Sequence, residues 1–228
     1  MIEALGVVIP AHDEEALLPS CLAAVTLAAR LLPRIPVQVI VVADACGDRT
    51  AELAEQAGAQ VVRAALRNVG RARRAGVAEF LRLNPGPDPA NLWIATTDAD
   101  TLVPPCWLSR QLTYAAHGWE AVVGTILITD WDGYPEHSQA AYVEQYAAGH
   151  PHVHGANLGV NAAAYQAVGG FDSLLTGEDH ALVNALAAAG RKILHTTQMP
   201  VVTSARRDPR APAGFGDLLA RLERDGGR

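Results

Sequence analysis

Cysteine is scarce in this chain. Only Cys21, Cys46 and Cys106 occur among 228 residues, widely spaced and with no CxxC pair. That spacing excludes a disulfide framework and a thiolate zinc site, and it fits a reducing compartment. Lysine is scarcer still: Lys192 is the only one, so nearly all of the 18 basic residues are arginine. Against 24 acidic residues this leaves a formal net charge of −6, which excludes the basic face of a general nucleic-acid binder. Long apolar runs are also missing. The longest helical apolar stretch, Cys21 to Leu32, is broken by Thr26 and Arg30 and is too short to span a bilayer. Met1-Ile2-Glu3-Ala4 lacks the basic segment that opens a secretory signal, so a cytoplasmic location is expected.

What is present suits one globular domain with a sizeable core, since 50% of the residues are apolar and 18% charged. Short apolar runs at Ala4–Ile9, Val37–Ala43 and Leu92–Thr96 read as buried strands, and Gln60–Arg63 as a short third strand. Helical spacing separates them: a helix starting at Asp13 or His12 and running to Pro33, another from Arg49 to Ala57, a third from Gly70 to Leu83. Strand and helix in alternation predict a parallel α/β sheet covered on both faces. The second half is less regular. Strands are expected at Ala121–Ile128, Asn157–Val160 and Lys192–His195, and helices at Glu136–Ala148, Ala162–Val168 and Glu178–Ala189. The tail after Arg206 reads as a loop and a short helix with Phe215, Leu218, Leu219 and Leu222 on one face.

Ligands of such sheets collect at the carboxyl ends of the strands. Asp98 and Asp100 follow the fourth strand with one residue between them. In extended backbone they point the same way, with Cα atoms about 7 Å apart. Two carboxylates so placed suit a hard divalent cation, Mn²⁺ or Mg²⁺; a solvated turn fits the same spacing. Asp44 ends the second strand, where it could contact a nucleotide or cap the next helix. Arg71, Arg73 and Arg74 cluster near a helix start, a place that favours anions but also suits a solvated basic face. Glu178 and Asp179 open a helix, so only one of them faces a given cleft. That one is either a general base or an ordinary acidic first turn. His152, His154 and His195 are candidates for a third metal ligand and, equally, packing residues. Tyr142 and Tyr146 read as packing.

Taken together these segments resemble family 2 glycosyltransferases. The opening strand and loop Val7-Val8-Ile9-Pro10-Ala11-His12-Asp13-Glu14-Glu15, then Val41-Val42-Ala43-Asp44, Asn68 to Gly76, Thr97-Asp98-Ala99-Asp100, Gly155-Ala156-Asn157 with Gly169-Gly170-Phe171-Asp172, and Gly177-Glu178-Asp179 match in the family's order over residues 4–200. The resemblance implies a GT-A-like, Rossmann-like fold: a mostly parallel central sheet flanked by helices, with a smaller mixed subregion on the acceptor side. It implies one catalytic domain over 1–205, with a nucleotide-binding half (1–103) and an acceptor-side half (104–205), followed by a mobile loop and short helix over 206–228.

By the same resemblance, Pro10, Ala11, His12 and Glu14 line the donor nucleotide. Asp44 bonds its base, usually uracil, and Arg73 approaches the diphosphate. Asp98 contacts ribose or sugar and joins Asp100 at the metal. Asp179 is the base with Glu178 as its support, and Trp131 and Asn157 lie on the acceptor side. The expected reaction is inverting transfer from a nucleoside-diphosphate sugar, with Mn²⁺ or Mg²⁺, to the hydroxyl of a small-molecule or lipid acceptor. His12 stands where Tyr or Phe is commoner and Arg74 where Asn is common. No Gln-x-x-Arg-Trp follows Asp179, which argues against a processive synthase. The tail helix could dock on a membrane surface, in weak and reversible contact, or on a second subunit of a homodimer. Two alternatives stand beside this reading. A sugar-phosphate nucleotidyltransferase would need a Gly-rich loop after the first strand, where Pro10-Ala11-His12-Asp13 stands. A non-catalytic nucleotide-sugar-binding module would not depend on Asp179.

Overall fold

The computed structural model describes residues 1–147, 152–206 and 222–224. Arg207, Asp208, Phe215, Leu218 and Leu219, assigned above to the loop and tail helix, lie outside the described residues. Eight strands form one sheet: β1 (Ala4–Ala11), β2 (Val37–Asp44), β3 (Gln60–Ala64), β4 (Leu92–Thr96), β5 (Thr101–Leu102), β6 (Ala121–Leu127), β7 (Leu158–Asn161) and β8 (Ile193–Thr203), in the order β3-β2-β1-β4-β7-β6-β8-β5. The first four strands in that order run parallel. β7 is antiparallel to β4 and β6, β8 is parallel to β6, and β5 is antiparallel to β8. The sheet is therefore parallel where nucleotide contacts are expected and mixed beyond, as the sequence suggests.

The helices are α1 (Leu18–Arg30), α2 (Thr50–Gln56), α3 (Val69–Leu83), α4 (Trp107–Ala116), α5 (Glu136–Ala147), α6 (Ala162–Ala167) and α7 (Glu178–Ala188). The two faces of β1 show why helices lie on both sides. Leu5, Val7 and Ile9 pack with Leu18, Leu22 and Val25 of α1 and Trp107 of α4 in one core. Ala4 and Val8 pack with Phe80 of α3 and Leu182 and Leu186 of α7 in the other. This is the alternation of a strand buried on both faces. Gly76 lets α3 approach closely, since a Cβ there would lie 2.5 Å from Val8 Cγ1.

Four elements differ from the sequence reading. α1 starts at Leu18, not at His12 or Asp13. Asp13 adopts a left-handed φ of 52° that no right-handed helix tolerates, and its carboxylate is held by the Gly47 N–H at 2.6 Å. β8 continues through Pro200 to Thr203, because Pro200 falls in an irregularity between the Gly124–Thr196 and Ile126–Val201 pairs, where its missing N–H breaks no ladder bond. α4 and β5 were not anticipated.

Candidate active site

The carboxyl ends of β1, β2 and β4 converge on the predicted acidic residues. Pro10 and Ala11 close β1. Pro10 follows the last β1–β4 pair, Val8 with Thr96, so its missing N–H disturbs no pairing there. His12 lies just beyond, its Nδ1 2.6 Å from the Asp44 carbonyl oxygen.

Asp44 is buried. Its carboxylate accepts the backbone N–H groups of Leu66 (2.5 Å), Arg67 (2.9 Å) and Asn68 (3.1 Å). It does not cap α2; the Thr50 N–H at that helix goes to Asp48. Asp44 instead folds the loop that delivers α3, and that loop needs the anchor because Arg67 sits at φ 47°. Asn68 then caps α3, accepting the Arg71 N–H at 2.8 Å.

Arg73 is placed differently from the sequence expectation. It is no surface arginine awaiting a phosphate: only 3% of it is exposed. Its guanidinium donates to Glu178 through Nη1 and to Asp98 through Nη2, the latter at 2.5 Å. Gly155 lies against it, with room for no side chain, since a Cβ there would sit 2.5 Å from Arg73 Cζ. The Phe171 ring lies 5.9 Å from the same carbon, within cation–π range. Burial works against the charge, but Asp98 and Glu178 outweigh it and raise the Arg73 pKa. Asp98 is only partly buried, and that burial, with Asp100 and Glu178 nearby, pushes its carboxyl up despite the Arg73 partner.

Glu178 and Asp179 face different ways, as adjacent helical residues must. Buried Glu178 turns inward to Arg73, while half-buried Asp179 accepts the Gly155 N–H at 2.8 Å. The α3 and α7 starts can meet only because residue 70 is glycine: a Cβ there would lie 2.3 Å from the Asp172 carbonyl oxygen and 3.0 Å from Glu178 Cβ.

Asp98 and Asp100 do not converge on one partner. Asp98 faces Arg73, while Asp100 is held by Arg206, whose Nη2 reaches Asp100 and whose Nη1 lies 2.8 Å from Glu14. Nothing in the sequence pattern marked this contact, which joins residues 192 and 106 positions apart. Among the described residues, the trio of ligating side chains close enough to share an ion is a different one, Asp13, Cys46 and Asp48. Its carboxylates already accept the N–H groups of Gly47, Glu15 and Thr50, and burial raises the Cys46 thiol pKa. We read it as a hydrogen-bonded turn.

Asn157, expected on the acceptor side, lies in the interior. Fully buried, it accepts from Trp107 Nε1 and donates to the carbonyl oxygens of Thr125 and Met199, all at 2.8 Å. It ties the β6–β8 irregularity to α4. Trp131 is half-buried, edge-on to Tyr134 at 5.9 Å and tilted on Tyr142 at 5.5 Å. Tyr142 is buried, as a packing role requires. Tyr146 accepts the Ile126 N–H at 2.9 Å and lies 3.2 Å from His154 Nε2. His152 stacks on Tyr146 at 3.7 Å, and His195 lies exposed on β8 opposite Val123. Burial, partly offset by Asp179, lowers the His154 pKa to about 4, so it is neutral at pH 7. No helix among the described residues is long and apolar enough to cross a membrane.

Solved structures share this architecture. TarS from S. aureus (residues 1–349, with UDP-GlcNAc) superposes with a TM-score of 0.67 at 13% identity, covering 99% of this chain and 66% of that one. The mannosyltransferase PcManGT from Pyrobaculum calidifontis, with GDP-Man and Mn²⁺, gives 0.67 at 18% identity over 95% of this chain and 68% of that one. Glucosyl-3-phosphoglycerate synthase from Mycobacterium tuberculosis, with Mn²⁺, UDP and glucosyl-3-phosphoglycerate, gives 0.60 at 16% identity over 96% and 77%. The chain thus spans about two thirds to three quarters of these neighbours' lengths. At such identities the likeness shows the fold, a GT-A one. Among curated proteins none matches in sequence. The sequence profile described as glycosyl transferase family 2 matches residues 6–167, which include most of the first strand, Asp44, Arg73, Asp98 and Asp100, so the chain belongs to that family.

Proposed function

We propose that this protein transfers one sugar from a nucleoside-diphosphate sugar, with UDP the favoured carrier, to an acceptor hydroxyl with inversion at the anomeric carbon. The observation that carries this reading is the Arg73 bridge. One buried guanidinium holds Asp98, at the donor-side strand end, and Glu178, at the start of α7. It therefore keeps the next residue, Asp179, beside the donor site. A transferase needs acceptor base and donor within one pocket, and the bridge supports that arrangement. Neighbours holding UDP-GlcNAc, GDP-Man or UDP, two of them with Mn²⁺, support the donor class.

Asp100 and Glu14 fit a divalent cation. They supply only oxygen donors, the preference of Mn²⁺ and Mg²⁺, and they already converge on a positive group, Arg206. Such an ion neutralises charge on a departing diphosphate. Asp179 takes the proton of the acceptor hydroxyl. The hydroxyl oxygen bonds the anomeric carbon as the bond to the diphosphate oxygen breaks on the opposite face, and the diphosphate leaves with that electron pair. The Gly155 N–H fixes the Asp179 carboxylate for this step. Pro10, Ala11 and His12 line the nucleotide. Asp44, with three backbone N–H groups already bound, serves by shaping the 66–68 loop. Trp131 offers the acceptor an apolar face.

The test is release of nucleoside diphosphate across a donor panel with Mn²⁺. Asp179→Asn should lower turnover by about 10²–10⁴-fold, the usual contribution of a general base, and Asp100→Asn should lose activity that excess Mn²⁺ partly restores. Unchanged turnover in Asp100→Asn removes the metal assignment; unchanged turnover in Asp179→Asn removes the base.

A further inference from the structure

Arg206 follows β8 by three residues, and β8 ends paired with β5, Thr203 opposite Thr101. The Thr101 and Thr203 hydroxyls lie 3.0 Å apart, fixing this strand end next to Asp100. The Tyr134 hydroxyl reaches the Arg206 carbonyl oxygen at 3.4 Å. The chain therefore delivers the Arg206 guanidinium onto Asp100 and Glu14 together. All three side chains are largely shielded, at 23%, 13% and 9% exposed.

We propose that Arg206 is a tethered cation that competes with the divalent metal for Asp100 and Glu14, and so sets the metal affinity of the site. The inference rests on the reading of Asp100 as a metal ligand. A guanidinium and a metal ion cannot both sit at contact distance on one shielded carboxylate pair, because like charges repel strongly where water is largely excluded. Metal entry therefore requires Arg206 to leave. The apparent affinity for metal alone falls by the fraction of time the pair is uncovered. A bound diphosphate shifts that balance, since it offers the released guanidinium an anion suited to bidentate contact. Metal and nucleoside diphosphate are then mutually reinforcing ligands.

The test measures Mn²⁺ binding directly, from the free-ion paramagnetic resonance signal, with Mn²⁺ alone and again with saturating UDP. Four proteins are compared: wild type, Arg206→Gln, Asp100→Asn and the double variant, each checked for a retained melting transition. Arg206→Gln should bind Mn²⁺ alone at least about tenfold more tightly than wild type, a 1.4 kcal/mol change. UDP should tighten Mn²⁺ binding more in wild type than in Arg206→Gln, and Asp100→Asn should abolish binding in both backgrounds. If Arg206→Gln matches wild type or binds more weakly, while Asp100→Asn still abolishes binding, the metal site stands and the competition is refuted. If Asp100→Asn changes nothing in either background, the ion sits elsewhere and both readings fall.

Discussion

Replacing Arg73 with methionine tests the centre of the site, because the two carboxylates it bridges lose their common partner. They differ in exposure. Glu178 keeps 5% of its side-chain surface and Asp98 36%. Asp98 can draw on water, so most of the penalty falls on Glu178. Removing one partner of a buried ion pair costs about 3–5 kcal/mol; with Asp98 partly solvated, the lower end, about 3 kcal/mol, is expected. At about 2.1 cal/mol/K per residue the unfolding entropy of this chain is roughly 0.5 kcal/mol/K, so Tm should fall by about 6 °C at pH 7. The pH dependence gives the sign. Without Arg73 the site keeps a buried negative charge that nothing offsets, and that penalty lessens as acid neutralises it. The difference from wild type should therefore shrink between pH 7 and pH 4, and a second change, Glu178→Gln, should restore part of the loss at pH 7. Calorimetric melts across that range decide it. A Tm within 2 °C of wild type at pH 7, or a difference that widens on acidification, refutes the reasoning.

Two further outcomes follow from other buried groups. His154, lowered to about 4 by burial, binds fewer protons folded than unfolded between about pH 6.5 and 4. Its contribution to stability is intact above that window and lost on descending through it, so His154→Gln should flatten the stability-versus-pH curve there; an unchanged curve contradicts the assignment. Cys21 is fully buried, and burial followed by the charges of Asp100 and Asp98 pushes its thiol up to about 12. An aromatic disulfide reagent at pH 8 should leave it unmodified until denaturant is added, and labelling of Cys21 in the native protein, read by peptide mass, would show that this core opens.

Much of the nucleotide-side fold was legible because its signals are local. Continuous apolar runs such as Val37–Ala43 mark strands buried on both faces, and Pro33, Gly58 and Pro85 punctuate them. The opposed orientation of Glu178 and Asp179 followed from helical geometry alone. α4 carries apolar residues at helical spacing, Trp107, Leu108, Leu112 and Ala115, a local signal that the reading of the sequence passed over. Asn157 sat inside a recognisable motif, and only packing could show that its amide bonds are used up by Trp107, Thr125 and Met199.

From the sequence alone came the sheet's alternating plan, the strand ends that carry Asp44, Asp98 and Asp100, and the family to which those motifs belong. The tertiary structure decided which charge meets which: Arg73 with Asp98 and Glu178, Arg206 with Asp100 and Glu14, Asp44 with the 66–68 backbone. Hydrophobic periodicity is written in neighbouring residues and survives in a string of letters. These ion pairs depend on distances between residues 25 to 192 positions apart, and those distances exist only once the strands have chosen their order.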